Sequence, residues 1–241
     1  MKSLKETNNT FVLGLFLAVI GAIAAVILAY VADITRAPIA KAKEAEVNQA
    51  LQEVLPKFDN SPVKNSFIVK AADDTGYDVT FYGAIKDGKL VGIAGKSKTM
   101  KGYSGKIVAM VGVEPNGKIR TVSMLKAADK TAKAISAILI TQQSETPGLG
   151  TVLCQRKNVV TLNSLFSSKK VAKTGLPPNR YLDQFADKTA PATAWQVKKD
   201  GGDIIYKTGA TVTSRAVTDV VYRITHTYMV NKAAIDKKLG N

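Results

Sequence analysis

Cysteine, histidine and tryptophan are almost missing from this chain, which has one of each among its 241 residues. A single cysteine cannot close a disulfide within the chain, and Cys154 with His226 is too small a ligand set for a zinc site. The sequence also lacks a cysteine cluster, a GxGxxG dinucleotide motif and a serine nucleophile-elbow motif. These absences exclude a disulfide scaffold and a zinc site built by this chain alone, and the sequence shows no motif for a ferredoxin-type cluster or an NAD site.

Acidic residues are scarce as well, because 19 aspartates and glutamates face 34 lysines and arginines, for a formal net charge of +15. Such a basic excess favours nucleic acid, anionic lipid or an acidic protein as a partner. The chain has no dense cluster of basic and aromatic residues, which argues against nucleic acid. Anionic lipid or an acidic partner remains, with a merely solubilising surface as the alternative. Paired lysines such as Lys198-Lys199 are expected to be solvated.

One long apolar segment, residues 11–32, has 22 residues without a charge. As a helix it would span about 33 Å, against about 30 Å for the hydrocarbon core of a bilayer. A cleaved signal peptide is the alternative, although its apolar region usually has only about 7–15 residues. The sequence therefore predicts an uncleaved anchor in residues 1–36 and a water-facing domain in residues 37–241. Basic residues flank both ends of the segment, so the positive-inside rule does not give its orientation.

Small residues recur at every fourth position along this segment, a spacing that lets another helix approach closely. We therefore expect helices of partner membrane subunits to pack here, with a plain anchor as the alternative. The two sets are Gly14, Ala18 and Ala22, and Gly21, Ala25 and Ala29.

The part that follows the apolar segment has the pattern of an α+β domain, with an antiparallel sheet and flanking helices. Asp-Gly at residues 87–88 and Asn-Gly at residues 116–117 each separate two apolar runs, which predicts two hairpins and four antiparallel strands. Pro38 suits the first turn of a new helix that ends before Pro56. Further expectations are a loop over residues 57–76, an alanine-rich helix over 127–140, short helical pieces over 151–170, strands over 196–198 and 204–206, and a terminal helix from Thr213.

A hydroxyl-rich segment, residues 208–214, reads TGATVTS and lies where the predicted terminal helix begins. Hydroxyl groups at this place predict helix caps, which accept hydrogen bonds from the first free N–H groups. The same N–H groups and the positive end of the helix dipole also favour an anion such as a phosphate. Gly209 and Ala210 would let a bulky phosphate ester approach the backbone. From the residues alone, both a plain cap and a phosphate site stay open.

Together with DGGD at residues 200–203 and RAV at residues 215–217, this segment resembles the covalent flavin segment of the FMN-binding domain family. ETPGLG at residues 145–150 resembles the second characteristic turn of that family. Two such blocks in this order, behind one apolar segment, are much more specific than either block alone. Further similarity lies in residues 35–39, 102–107 and 183–188, so the resemblance extends from the apolar segment to about residue 230.

The resemblance implies one FMN, attached through a phosphoester to Thr211, the last threonine of TGAT, by a separate flavin transferase. It also implies that the turn at residues 145–150 forms a wall of the flavin site, with Tyr103 as a candidate neighbour. The implied site residues are Thr211, then Thr208, Gly209, Ala210, Val212 and Thr213 around it, and Glu145, Thr146, Gly148 and Leu149 in the turn.

The chain differs from the family pattern at two places. The family has an acidic residue three positions before the first hydroxyl, where this chain has Ile205; Asp203 lies two residues earlier. In addition, 19 residues separate Leu125 from Glu145, where relatives have only a few.

Residues 145–150 and 215–217 look more like the G subunit of the Rnf complex than like the C subunit of the sodium-translocating NADH:quinone reductase, another member of the family. The resemblance implies an electron-relay subunit of a membrane-bound Rnf-type ferredoxin:NAD oxidoreductase, coupled to sodium or proton translocation. Its soluble domain would lie on the periplasmic side of the bacterial inner membrane, and its partners would be the other membrane subunits. The alternatives are the C subunit of a sodium-translocating NADH:quinone reductase and a membrane-anchored binding or scaffold module with a degenerate flavin site.

Overall fold

The computed structural model describes residues 10–125, 133–156 and 176–240 of the chain. The residues divide into two compact units, Met1–Ala45 and Glu46–Asn241. The first unit contains most of one long helix, and the second contains an antiparallel sheet with helices on both faces. The α+β class predicted from the sequence is therefore confirmed.

Helix α1 runs without a break from Thr10 to Val54. It is long and apolar enough to cross a membrane, by length and composition, and the apolar side chains of its first part are exposed. The new helix predicted at Pro38 is wrong, since Pro38 lies inside α1. A proline removes only one backbone donor, and the alanine, lysine and glutamate residues that follow it favour helix.

In the part of the chain that the structure describes, the second unit contains a five-stranded sheet and a two-stranded ribbon. The strands are β1 (Ser66–Lys70), β2 (Asp78–Lys86), β3 (Lys89–Gly102), β4 (Gly105–Val113), β5 (Thr121–Leu125), β6 (Lys133–Ser136) and β7 (Ile138–Gln142). The sheet has the order β1-β2-β3-β4-β7, and the ribbon pairs β5 with β6. All of these pairs are antiparallel. Among the described residues, the helices of this unit besides the end of α1 are α2 (Thr151–Cys154), α3 (Arg180–Asp183), a 3-10 helix (Lys198–Asp200) and α4 (Thr211–Leu239).

The two faces of the sheet pack against different helices. One face forms the larger core with α4, and the other face forms a second core with the last turns of α1. Glycines mark both crossings: a Cβ at Gly95 would lie 2.3 Å from the Ile224 side chain of α4, and a Cβ at Gly112 would lie 2.5 Å from the carbonyl oxygen of Val54. Because these positions have no side chain, both helices can cross the sheet closely.

Two expectations for the sheet need correction. Strand β1 lies within residues 57–76, which were expected to form a loop, and it pairs with β2. The run after the Asn-Gly turn makes only one bridge to β4, Val113 to Ile119, and then pairs as β5 with β6. Strand β7 occupies the edge of β4 that a hairpin would have used.

The alanine-rich helix expected over residues 127–140 is wrong over its described part, because residues 133–140 form β6 and β7. Ile135, Ala137 and Ile138 are buried there. The β-branched isoleucines suit a strand, and pairing with β4 and β5 outweighs the helix propensity of the alanines. Residues 126–132 lie outside the described residues.

Three expectations for the second half of the chain are only partly met. Of the helical pieces over residues 151–170, α2 is present, and residues 157–170 lie outside the described part. The strands over residues 196–198 and 204–206 reduce to one bridge, Val197 to Ile204, with the 3-10 helix between them. The terminal helix begins at Thr211, two residues before the expected Thr213.

Arg156 joins β6, β7 and α3 through a buried side chain. Its guanidinium donates to the carbonyl oxygens of Ile138, Pro177 and Ser136 at 2.8–3.0 Å and to Asp183 Oδ1 at 2.8 Å. Burial lowers the pKa of Arg156, and the adjacent Asp183 carboxylate offsets this. The guanidinium therefore donates to three backbone carbonyl groups and one carboxylate at the same time.

We expect Arg156→Met to destabilise the protein by about 3–5 kcal/mol, because it removes the cationic partner of Asp183 and the guanidinium donor of three carbonyl groups. Lys70→Met is the matched control, since it also breaks an ion pair, Lys70–Asp78, but on the exposed surface; its expected cost is below about 1 kcal/mol. Chemical unfolding of the full chain in detergent measures both. Equal losses would contradict the structural role of Arg156.

Candidate functional site

Helix α4 begins without a side-chain cap. Gly209 has φ +83°, a left-handed conformation that glycine adopts readily. The N-cap residue is Ala210, whose side chain cannot accept a hydrogen bond, and no other described side chain accepts one from the first-turn N–H groups. The expected capping by threonine hydroxyls is therefore wrong. The helix, which has a kink at Asn231, instead presents free N–H groups and the positive end of its dipole at its start.

The hydroxyl groups near this helix start have different environments. The buried Ser214 hydroxyl donates to the Ala210 carbonyl oxygen at 2.9 Å and accepts from the Lys207 N–H at 3.2 Å. Thr213 is also buried, whereas Thr211 is half-buried and Thr208 is exposed. Of these threonines, Thr211 combines a place on the first turn with access to solvent.

Glu145 connects the helix start to the rest of the site from a buried position. Its Oε2 accepts a hydrogen bond from the Thr213 hydroxyl at 2.6 Å, and its Oε1 accepts one from the Ser104 N–H at 3.1 Å. A Cβ at Gly102 or Gly150 would lie 2.6 Å from one of the two carboxyl oxygens. The carboxyl group thus joins the β3–β4 turn, the turn at residues 145–150 and α4, and neighbouring glycines make room for it.

The turn at residues 145–150 is held by its own backbone and by Thr151. The Leu149 N–H donates to the Thr146 carbonyl oxygen at 3.2 Å, and the Gly148 N–H donates to the Thr151 hydroxyl at 3.0 Å. Gly148 has φ +75°. These contacts leave the Leu149 side chain 43% exposed at the surface of the turn.

A surface cavity of about 450 Å³ lies between this turn and the start of α4. It brings together all the residues expected in the site except Thr208, which is exposed beside it, and Gly148, which lines a neighbouring cavity with Arg180. One lining residue, Lys199, was missed by sequence reasoning, and Gly150 belongs to the turn that was expected to form a wall. The complete lining is Tyr103, Glu145, Thr146, Leu149, Gly150, Lys199, Gly209, Ala210, Thr211, Val212 and Thr213.

Comparison with known proteins gives the family of this chain. The sequence model of the FMN-binding domain matches residues 102–225, a range that contains every residue lining the cavity. The chain belongs to the FMN-binding domain family. The family match thus coincides with the part of the second unit that forms the site.

Curated relatives agree with this assignment and are similar over most of their length. A protein of Photorhabdus laumondii is 30% identical over 87% of this chain and 86% of its own length. A protein of Aliivibrio fischeri strain MJ11 is 29% identical over 93% of this chain and 91% of its own, and one of Escherichia coli K12 is 27% identical over 87% and 86%. Each of the three is named as the G subunit of an ion-translocating oxidoreductase complex.

The cavity suits the two chemically different parts of FMN. Free N–H groups at the start of α4 are donors for phosphate oxygens. The exposed apolar surfaces of Leu149 and Val212, which are both 43% exposed, and of Tyr103 suit a flat aromatic ring system. Tyr103 stands on the β3–β4 turn next to Ser104, so the Glu145 contact sets its position at the rim.

Ile205 occupies the position at which the family has an acidic residue, and its backbone makes two hydrogen bonds. The Gln184 side chain accepts from the Ile205 N–H at 2.6 Å and donates to the Ile205 carbonyl oxygen at 3.0 Å. This pair of bonds fixes the segment that leads to Thr208 without any acidic side chain. Asp203 is exposed nearby.

We expect Thr213→Val to destabilise the protein by about 1–3 kcal/mol, because the isosteric change leaves a buried oxygen of Glu145 without its donor. Thr208→Val is the matched control, since the Thr208 side chain is exposed; it should change stability by less than about 0.5 kcal/mol. Thermal unfolding followed by circular dichroism compares the two. A Thr213→Val protein as stable as the control would show that the Glu145 bond does not join the segments.

Cys154 should be unreactive in the folded protein. Burial, and then the charge of Glu145, raise the pKa of its thiol to about 12, so the nucleophilic thiolate is almost absent at pH 8. We expect iodoacetamide to label the chain only after denaturation, as measured by intact mass. The chain has no other cysteine, so rapid labelling of the native protein would contradict the buried position directly.

Proposed function

We propose that this chain is an electron-relay subunit of a membrane-bound Rnf-type ferredoxin:NAD oxidoreductase coupled to sodium or proton translocation. The observation that carries the proposal is the cavity at the start of α4, where an uncapped helix and the half-buried Thr211 lie opposite the turn at residues 145–150. The family match and the names of the relatives support it. FMN holds one or two electrons, while the protein sets its position and solvent access.

In this proposal FMN is bound covalently through a phosphoester to Thr211. A bond forms between Thr211 Oγ1 and the phosphorus of the FMN half of a flavin dinucleotide donor. The bridging phosphorus–oxygen bond to the second phosphate breaks, the nucleoside monophosphate leaves with the bridging oxygen, and the hydroxyl proton is released to solvent. A separate flavin transferase carries out this step, so the chain itself needs no base beside Thr211. The product is an anionic phosphodiester, which the free N–H groups of α4 stabilise.

The other residues of the site have supporting roles in the proposal. The residues near Thr211 shape the approach to the phosphate. The residues of the turn at 145–150, together with Tyr103, form the wall beside the flavin ring. The first group is Thr208, Gly209, Ala210, Val212 and Thr213, and the second is Glu145, Thr146, Gly148, Leu149 and Tyr103.

We further propose that residues 1–36 anchor the chain in the bacterial inner membrane and that residues 37–241 form a periplasmic domain. The apolar length of α1 supports a membrane anchor. The other membrane subunits of the complex would pack on the small-residue positions of α1. The net charge of +15 is favourable for anionic lipid headgroups beside them.

Replacement of Thr211 tests the attachment. The full chain, expressed with a flavin transferase, should gain the mass of FMN less one water and fluoresce on a denaturing gel. Thr211→Val should lose both signals completely, because the acceptor oxygen is gone. The matched control Thr193→Val, at an exposed threonine that does not line the cavity, should keep both.

Each outcome separates the candidate functions. Fluorescence that persists in Thr211→Val would place the ester on another residue. A wild-type chain of unmodified mass, purified from its native host, would leave a binding or scaffold module instead of an electron carrier. Co-purification with the subunits of a quinone reductase would favour the C-subunit alternative.

A further inference from the structure

Lys199 is the one cationic side chain lining the cavity within the described residues. The same cavity is lined by the carboxyl group of Glu145, which is an unfavourable neighbour for a phosphodiester. The sequence alone predicts a solvated lysine at position 199, and its side chain is indeed exposed. Because Lys199 lines the cavity, however, its exposed positive charge lies beside the proposed phosphate position.

The 3-10 helix that bears Lys199 is fixed by contacts on both sides. The Lys198 N–H donates to the Ile204 carbonyl oxygen at 2.8 Å, and the Asp200 N–H donates to the Val197 carbonyl oxygen at 2.8 Å. The helix ends at Gly201, which has φ 89°. Lys199 is therefore presented from a short ordered segment.

A two-bond ion pair ties this segment to α4. Arg215 Nε donates to Asp200 Oδ2 at 2.7 Å, and Arg215 Nη2 donates to Asp200 Oδ1 at 2.6 Å. The Arg215 hydrogen bonds hold the pKa of Asp200 below its ordinary value, so Asp200 is ionised at neutral pH. Because Arg215 lies one turn after Thr211 on the same helix, the pair sets the place of Lys199 relative to Thr211.

We propose that Lys199 pairs with the phosphodiester at Thr211 and that Asp200 and Arg215 are its positioning residues. The proposal rests on the proposed function, since it concerns the phosphate of the same FMN. In it the α4 N–H groups and Lys199 contact the phosphate from two elements. Arg215, whose guanidinium is occupied by Asp200, does not contact the phosphate itself.

Neutralising Lys199 should slow loading of the site and change the environment of the phosphorus. In the full chain with a flavin transferase, we expect Lys199→Gln to lower the initial rate of FMN attachment about threefold to tenfold. The ³¹P resonance of the attached phosphodiester should shift as well. Lys198→Gln is the matched control, since Lys198 is its exposed neighbour and does not line the cavity; both readouts should remain as in wild type. Lys199→Arg should restore the rate.

Salt and the Arg215→Gln variant test how the charge is positioned. Added salt should slow wild-type loading toward the Lys199→Gln rate and have a smaller effect on that variant, because it screens an exposed pair. Arg215→Gln should reproduce part of the ³¹P shift with an unchanged unfolding midpoint.

The outcomes distinguish this proposal from the one it rests on. If the wild type loads and Lys199→Gln matches Lys198→Gln in both rate and ³¹P shift, the role of Lys199 is refuted and the attachment to Thr211 stands. If Arg215→Gln leaves the ³¹P resonance unchanged, its positioning role is refuted. If the wild type takes up no FMN, both proposals fail.

Discussion

The hydrogen bond between Thr213 and Glu145 is the interaction on which the candidate site depends. It joins two segments that are 68 residues apart in the sequence, the first turn of α4 and the turn that follows β7. The second carboxyl oxygen of Glu145 binds the β3–β4 turn through Ser104. Because one buried carboxyl group holds three segments, the cavity walls have fixed positions before any ligand binds.

The start of α4 is also unusual because the N–H groups of its first turn have no side-chain acceptor among the described residues. Hydroxyl side chains surround it, yet none caps the helix, since Thr213 binds Glu145 and Ser214 binds the backbone of its own turn. Free N–H groups at a helix start cost stability unless water or a ligand satisfies them. The uncapped N-terminus of α4 therefore favours binding of an anion. A phosphodiester at Thr211 would be such an anion.

Local patterns made parts of the fold predictable from the sequence. The Asp-Gly turn predicted the β2–β3 hairpin, and the spacing of apolar residues predicted α4. The strands β6 and β7 were not predictable in this way, because the alanines around them favour helix, whereas β6 pairs with β5 and β7 pairs with β4, which lies more than 20 residues before it. Tertiary pairing decided the structure of this segment.

The site also has features that the local sequence predicts and features that depend on tertiary contacts. The motifs in residues 145–150 and 208–214 indicated its two walls, since each motif is contiguous in the chain. Lys199 gave no such signal, because its place at the cavity depends on the Arg215–Asp200 pair between separate segments. Capping was predicted wrongly for a related reason: a hydroxyl beside a helix start can bind a distant carboxyl group, and the local sequence does not show which partner it takes.

The most direct measurement of covalent flavin binding is a peptide map of the chain isolated from its native membrane. Trypsin cleaves after Lys207 and Arg215 and releases residues 208–215 as one peptide. Fragmentation of this peptide should place the mass of FMN less one water on Thr211. An unmodified peptide, or a flavin located on Thr208 or Thr213, would contradict the phosphoester at the start of α4.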